Sequence, residues 1–221
     1  MRVLVLDFDD TLCCTTHLLK FGSLPSSFIG ALYAFLTVAL AVTDGCVYIV
    51  SSSSKGWLEG CVDRFFGAEV RALFDLCKVR LVPKAHQSSL GLRMKEPTLI
   101  ALTSECYVVA QQPQSTYTPT NSSSNFLTAR DCKDRCPIQP PQIEDEDAFD
   151  DESIMSVLLV GDSAEDVQPA AKIRQLLNGC SVRVCKLPKE PSAENLEISL
   201  KTLTIILAGP RPTVNDSFLS N

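Results

Sequence analysis

Histidine is nearly absent: the chain has two, His17 and His86, and they stand far apart. Zinc takes four Cys or His ligands at short, paired spacings, and Cys132 and Cys136 form a single C-x-x-x-C pair with no second pair beside it. A structural or incidental role is the expectation for both. A basic stripe is missing too. The chain carries 20 Lys and Arg against 26 Asp and Glu, a formal charge of -6, and its pI near 5.0 argues against nucleic acid as a partner. No apolar run reaches the roughly 20 residues of a bilayer span. The nearest candidate, residues 28–43 (FIGALYAFLTVALAVT), is interrupted by Thr37 and lies between Pro25 and Asp44-Gly45. It reads as a buried crossover helix between two parallel strands, with no membrane span expected. No secretory leader precedes the first strand, which sets the expectation of reduced thiols and a cytoplasmic location for a chain with ten cysteines. Cys13, Cys14, Cys46, Cys61, Cys77, Cys106, Cys180 and Cys185 fall in or beside predicted core elements, where free Cys acts as a small buried hydrophobe.

What the chain does have is two acidic clusters, each directly after a short aliphatic run: Asp7 and Asp9 in VLVLDFDDTL, and Asp162 and Asp166 in VLLVGDSAEDV. Runs this short and this rich in Val and Leu are buried strands, so each cluster belongs at the carboxyl end of a strand. Open α/β sheets place their ligands along that edge. One Asp-x-Asp after an apolar run is often only a turn, because Asp bonds its own backbone there. Two such strand ends converging on one spot repel each other unless a proton or a divalent cation lies between them. A hard, oxygen-seeking ion such as Mg2+ suits four carboxylates.

At 221 residues and 45% hydrophobic, the chain suits one domain with an ample core. Strands are expected over 2–6, 46–50, 79–82, 157–160 and 181–184, and helices over 28–43, 57–66, 69–76, 97–104, 165–177 and 193–207. A short aliphatic stretch, 106–110, follows the fourth of those helices. Composition then changes abruptly. Residues 111–153 are rich in Gln, Pro, Ser and Thr and end in an acidic run, too little apolar surface to order itself. The core is therefore expected over 1–110 and 154–208, with a disordered insertion at 111–153 and a flexible tail at 209–221. The acidic run offers itself to a possible basic protein partner, although such runs are more often solvated loops.

Asp7-Phe8-Asp9-Asp10-Thr11-Leu12 resembles the first motif of the haloacid dehalogenase superfamily, Asp-x-Asp-x-Thr, and Gly161-Asp162-Ser163-Ala164-Glu165-Asp166 resembles its fourth, Gly-Asp-x-x-x-Asp. Between them, Val47-Tyr48-Ile49-Val50-Ser51 is similar to the second, a hydrophobic strand ending in Ser or Thr. The resemblance implies an α/β fold, a Rossmann-like three-layer α/β/α sandwich with a mainly parallel central sheet. It implies a Mg2+-dependent phosphoester hydrolase in which Asp7 attacks phosphorus and forms an aspartyl-phosphate. Asp9 then protonates the leaving oxygen and deprotonates the incoming water. The metal ligands it implies are Asp7, the backbone carbonyl of Asp9, Asp162 and Asp166, the last either a ligand or an orienter of the ion's waters. Ser51 and a lysine bind the phosphoryl oxygens, and backbone N–H groups of the neighbouring serines, Ser52 among them, assist. Thr11 closes the turn after the first strand.

Two assignments stay open in the sequence. Any of Ser51, Ser52, Ser53 and Ser54 could cap the following helix, and Ser51 is favoured for phosphate as the first polar residue after the strand. Lys78, Lys84 and Lys95 all fall between the second and fourth motifs. Lys95 opens an apolar-striped helix and is the first choice, with Lys84 the second. Little room remains for a lid, so a phosphorylated substrate could be small or macromolecular. A phosphate-accepting receiver domain also uses an acidic cluster, but its nucleophile lies on a later strand. The alternative function is an inactive binding or scaffold protein of the same fold.

Overall fold

The computed structural model describes residues 1–83, 94–112, 142–143, 149 and 153–209. In chain order its elements begin β1 (Arg2–Asp7), α1 (Thr15–Phe21), α2 (Ser26–Val42), β2 (Val47–Ser51), α3 (Lys55–Cys61), a π-helical turn (Val62–Phe66), α4 (Gly67–Leu76) and β3 (Lys78–Leu81). They continue with α5 (Glu96–Ala110), β4 (Gln142–Ile143), β5 (Met155–Gly161), α6 (Ala164–Val167), α7 (Pro169–Leu176), β6 (Cys180–Lys186) and α8 (Ala193–Ala208).

The sheet order is β3-β2-β1-β5-β6-β4. Five strands are parallel, and the two-residue β4 pairs antiparallel with β6. β1, β2 and β5 are buried along almost their whole length, the condition of strands covered on both faces. Alternation divides them between two cores. Leu4, Leu6, Val47, Ile49, Leu158 and Val160 face α2, α4 and α8, whereas Val3, Val5, Tyr48, Val50, Val157 and Leu159 face α5 and α7. The architecture is therefore an α/β fold with helices on both faces of a mainly parallel sheet, a three-layer α/β/α arrangement.

Within the first core Phe8, Phe66 and Phe74 form a triangle with ring centroids 6.1 to 6.4 Å apart. Such rings gain about 0.5–1.5 kcal/mol per pair beyond their buried area. Phe8 lies between Asp7 and Asp9, so this anchor fixes the backbone that carries both acids.

Several elements differ from expectation for identifiable reasons. α2 is buried along one stripe only, Phe28, Ala31, Leu32, Phe35, Leu36 and Ala39, with Tyr33 exposed on its outer side. Among the described residues no helix is long and apolar enough to cross a membrane. The stretch 106–110 does not leave the preceding helix but continues it, so α5 runs to Ala110. The helix expected over 165–177 is two helices, divided at Gln168 because Pro169 has no N–H to continue the first. α1 was not expected at all: TTHLLKF has one buried residue, Leu18, and so no apolar stripe to read.

Most of the insertion expected over 111–153 lies outside the described residues, as does the tail from 210 onward. Within it β4 extends the sheet, and Phe149 packs against the first core with the Arg2 guanidinium 5.5 Å from its ring centroid. His86, Cys132, Cys136 and Lys84 also fall outside the described residues.

Candidate functional site

The register of the sheet assembles the acids. Leu6 pairs with Val160 on β5 and Asp7 pairs with Val50 on β2, so the carboxyl ends of three strands finish side by side. Asp7 ends β1 and Asp162 follows β5 by one residue. Asp166 comes from the first turn of α6. Ligand oxygens of Asp7, Asp162 and Asp166 lie within 4.8 Å of one another.

Gly161 makes that convergence possible. A Cβ built there would stand 2.3 Å from Asp166 Cβ and 2.4 Å from its Cγ, distances no side chain tolerates. Asp166 folds over the end of β5 into the space where that carbon would be. Its Oδ2 accepts hydrogen bonds from Ser163 N (3.0 Å) and Ser163 Oγ (2.6 Å), which hold it there.

Lys95, just ahead of α5, reaches in from the other core. Its Nζ lies 2.6 Å from Asp7 Oδ1 and 2.5 Å from Asp166 Oδ1, with the lysine only 6% exposed. Burial pulls the Lys95 pKa down, but the charges of Asp7 and Asp166 outweigh it and hold it above its ordinary value. For Asp7, burial dominates and raises its pKa from 3.8 to about 8, against the attraction of Lys95 and with the charge of Asp166 adding to the rise. Burial likewise lifts Asp162 to about 6, reinforced by Asp166 and Asp10. Of the other candidate lysines, Lys78 turns to the Tyr48 hydroxyl at 3.3 Å, at the opposite end of β2 from Ser51.

Asp7 Oδ1 also accepts from Phe8 N at 2.7 Å, so both of its donors converge on one oxygen and Oδ2 stands clear of them. Asp9 is placed differently. Its carboxyl is not part of the acidic cluster but accepts from Thr15 Oγ1 (2.8 Å) and Trp57 Nε1 (3.0 Å) through Oδ1, and from Ser53 Oγ (2.5 Å) through Oδ2. Sequence reasoning missed Thr15 and Trp57 and offered Ser53 only as a helix cap; the three lie 6, 48 and 44 residues from Asp9. Asp10, at φ 51, accepts from Thr16 N and Oγ1 and so holds the start of α1.

The four serines divide the work. Ser54 caps α3 by accepting from Trp57 N, Ser53 binds Asp9, and Ser51 is fully buried at the end of β2. Ser51 Oγ accepts from Ser53 N at 3.0 Å, which leaves its own hydrogen to give. Ser52 is half-buried on the same turn. Thr11 closes the turn through its backbone, Thr11 N reaching Phe8 O at 3.4 Å.

The eight described cysteines are unpaired by disulfides. Burial pushes Cys185 and Cys77 up to about 12 and Cys14 to about 11, so they stay as thiols. Cys13 is raised chiefly by giving its hydrogen bond to Cys61, and Cys61 is lowered by receiving it.

The donors present fit a divalent cation. Three carboxylates offer only hard oxygen ligands, and the single ammonium among them leaves a formal charge that one divalent ion balances. Burial first, and the neighbouring carboxylates after it, raise Asp7 and Asp162, and a bound cation would oppose both effects. The buried Asp7, Asp162 and Asp166 group could therefore hold a metal ion. No protein family, curated protein or solved structure matches the chain.

Proposed function

We propose that the chain is a magnesium-dependent phosphoester hydrolase of the haloacid dehalogenase superfamily, acting through an aspartyl-phosphate on Asp7. One observation carries this reading: Asp7, Asp162 and Asp166 meet at a single sheet edge with the Lys95 ammonium between two of them. Phosphoryl transfer needs positioning and charge neutralisation above all, and these groups supply both. Mg2+ held by the three carboxylates would screen the phosphate's charge and orient it.

The residues divide the chemistry between them. Asp7 Oδ2, clear of the donors on Oδ1, attacks phosphorus while the bond from phosphorus to the leaving oxygen breaks. Asp9 gives that oxygen a proton and so becomes a carboxylate. It then takes a proton from a water whose oxygen attacks phosphorus, and Asp7 is released as the acyl-phosphate bond breaks. Lys95 neutralises charge, and the Ser51 hydroxyl and the turn at Ser52 bind phosphoryl oxygens. An inactive scaffold could keep the acidic cluster, but it has no use for three donors that set the Asp9 carboxyl. That arrangement favours the enzyme. The phosphorylated substrate, the cytoplasmic location and a protein partner for the acidic insertion belong to the same proposal.

Hydrolysis of p-nitrophenyl phosphate by the full chain tests it. Turnover should require Mg2+, stop with EDTA, and fall at least about 1,000-fold in Asp7→Asn with the melting temperature retained. Turnover indifferent to EDTA, or normal in Asp7→Asn, would overturn it.

A further inference from the structure

Trp57 is the one tryptophan in the chain, and its indole nitrogen is spent on Asp9. A half-buried tryptophan at the start of a helix has cheaper ways to satisfy its N–H, water included. Here it reaches across from α3 to the loop after β1, beside Thr15 Oγ1 on the same oxygen. An indole N–H only donates, so it can face a lone pair of Asp9 Oδ1 and never a proton on that oxygen. Thr15 Oγ1 lies 2.8 Å from the same oxygen and 3.2 Å from Cys13 O, so its hydroxyl can give or accept there, and Trp57 is the contact whose direction is fixed. Among the described residues Oδ2 meets Ser53 Oγ alone, and a hydroxyl can give or accept. The two oxygens of one carboxyl are thereby made unequal by their neighbours.

We infer that Trp57 is a positioning residue which claims a lone pair of Asp9 Oδ1 and so leaves Oδ2 as the oxygen that exchanges a proton with the leaving group and then with water. This rests on the phosphoester hydrolase reading above and extends it to a residue outside the four motifs. In the first step Oδ2 loses its proton to the leaving oxygen as that oxygen parts from phosphorus and Asp7 Oδ2 bonds to it. In the second, Oδ2 receives a proton from the attacking water. Ser53, able to serve as donor or acceptor, stays bonded to Oδ2 through both states.

Trp57→Phe keeps an aromatic ring and deletes the N–H, together with part of the indole's bulk, which the melting curves control for. An acid matters for an alkyl phosphate, whose leaving alkoxide must be protonated, and little for 2,4-dinitrophenyl phosphate, whose phenolate leaves unaided. The wild type and Trp57→Phe are compared on both esters with Mg2+, with melting curves to establish folding. For the alkyl ester kcat/KM, which reports only the phosphorylation of Asp7, should fall roughly 10- to 100-fold in Trp57→Phe, while kcat/KM for the dinitrophenyl ester stays within about twofold. Equal losses of kcat/KM on both esters, or none on either, would overturn the inference while leaving the hydrolase reading intact. A wild type inactive on both would overturn the two together. A measurement without turnover is also available. Trp57 is the sole indole emitter, so Asp9→Asn should shift its fluorescence maximum by removing the charge at its N–H; an unchanged spectrum counts against the contact.

Discussion

Single residues decide whether the acids meet. Gly161 is the plainest case, because Asp166 occupies the space a side chain would need, with its Cβ, Cγ and Oδ2 all within 2.5 Å of a Cβ built at position 161. Gly161→Ala should displace Asp166, break its contact with Lys95, and weaken Mg2+ binding by at least about tenfold. Isothermal titration of the variant checks this, and wild-type affinity would show that Asp166 is dispensable to the cluster. Lys95 illustrates the same dependence from the other side. Buried with two carboxylates, it cannot be exchanged for an uncharged residue without leaving both acids unneutralised.

At the scale of elements, α2 carries the largest stake. Phe35 is fully buried between the sheet and the neighbouring helices, and Phe35→Ala should cost about 3–5 kcal/mol. On the outer side of the same helix Tyr33→Ala should cost less than about 1 kcal/mol. Urea denaturation of the two variants separates a one-sided helix from one buried all round, which would make the losses comparable.

The elements also show what the sequence could disclose. β1, β2 and β5 were legible because aliphatic runs too short for a helix ended in acids, and the parallel pairing that joins Asp7 to Asp162 follows from that pattern. Lys95 was only one of three lysines, since its choice depends on where α5 docks against the sheet. The serine run was ambiguous for a similar reason: each of the four could cap a helix, and contact with Asp9 is what sets Ser53 apart from Ser54. Trp57 and Thr15 carried no signal, because nothing local marks a hydrogen bond made across elements. α1 escaped because it is held by Asp10 at its start and lacks an apolar stripe.

For the whole molecule, the acidic cluster sets how stability answers to pH. Asp7 and Asp162 have pKa values raised by burial to about 8 and about 6, so the folded chain keeps protons that the unfolded chain gives up near 3.8. The folded state then binds more protons, and its stability from these groups is greatest below about pH 4 and is lost as pH rises through 6 and then 8. A divalent ion bound by the same carboxylates reverses the loss. It competes with protons at low pH and meets free carboxylates at high pH. The measurement that tests this most directly is thermal melting of the full chain from pH 5 to 8.5, with Mg2+ and with EDTA, for the wild type and Asp162→Asn. The wild type should gain roughly 5–10 °C at pH 8.5 with Mg2+ at a hundredfold excess over its dissociation constant, and much less at pH 5, and Asp162→Asn should lose the gain. Superimposable curves with and without the ion at every pH, or a gain that survives in Asp162→Asn, would contradict a cation site built from Asp7, Asp162 and Asp166.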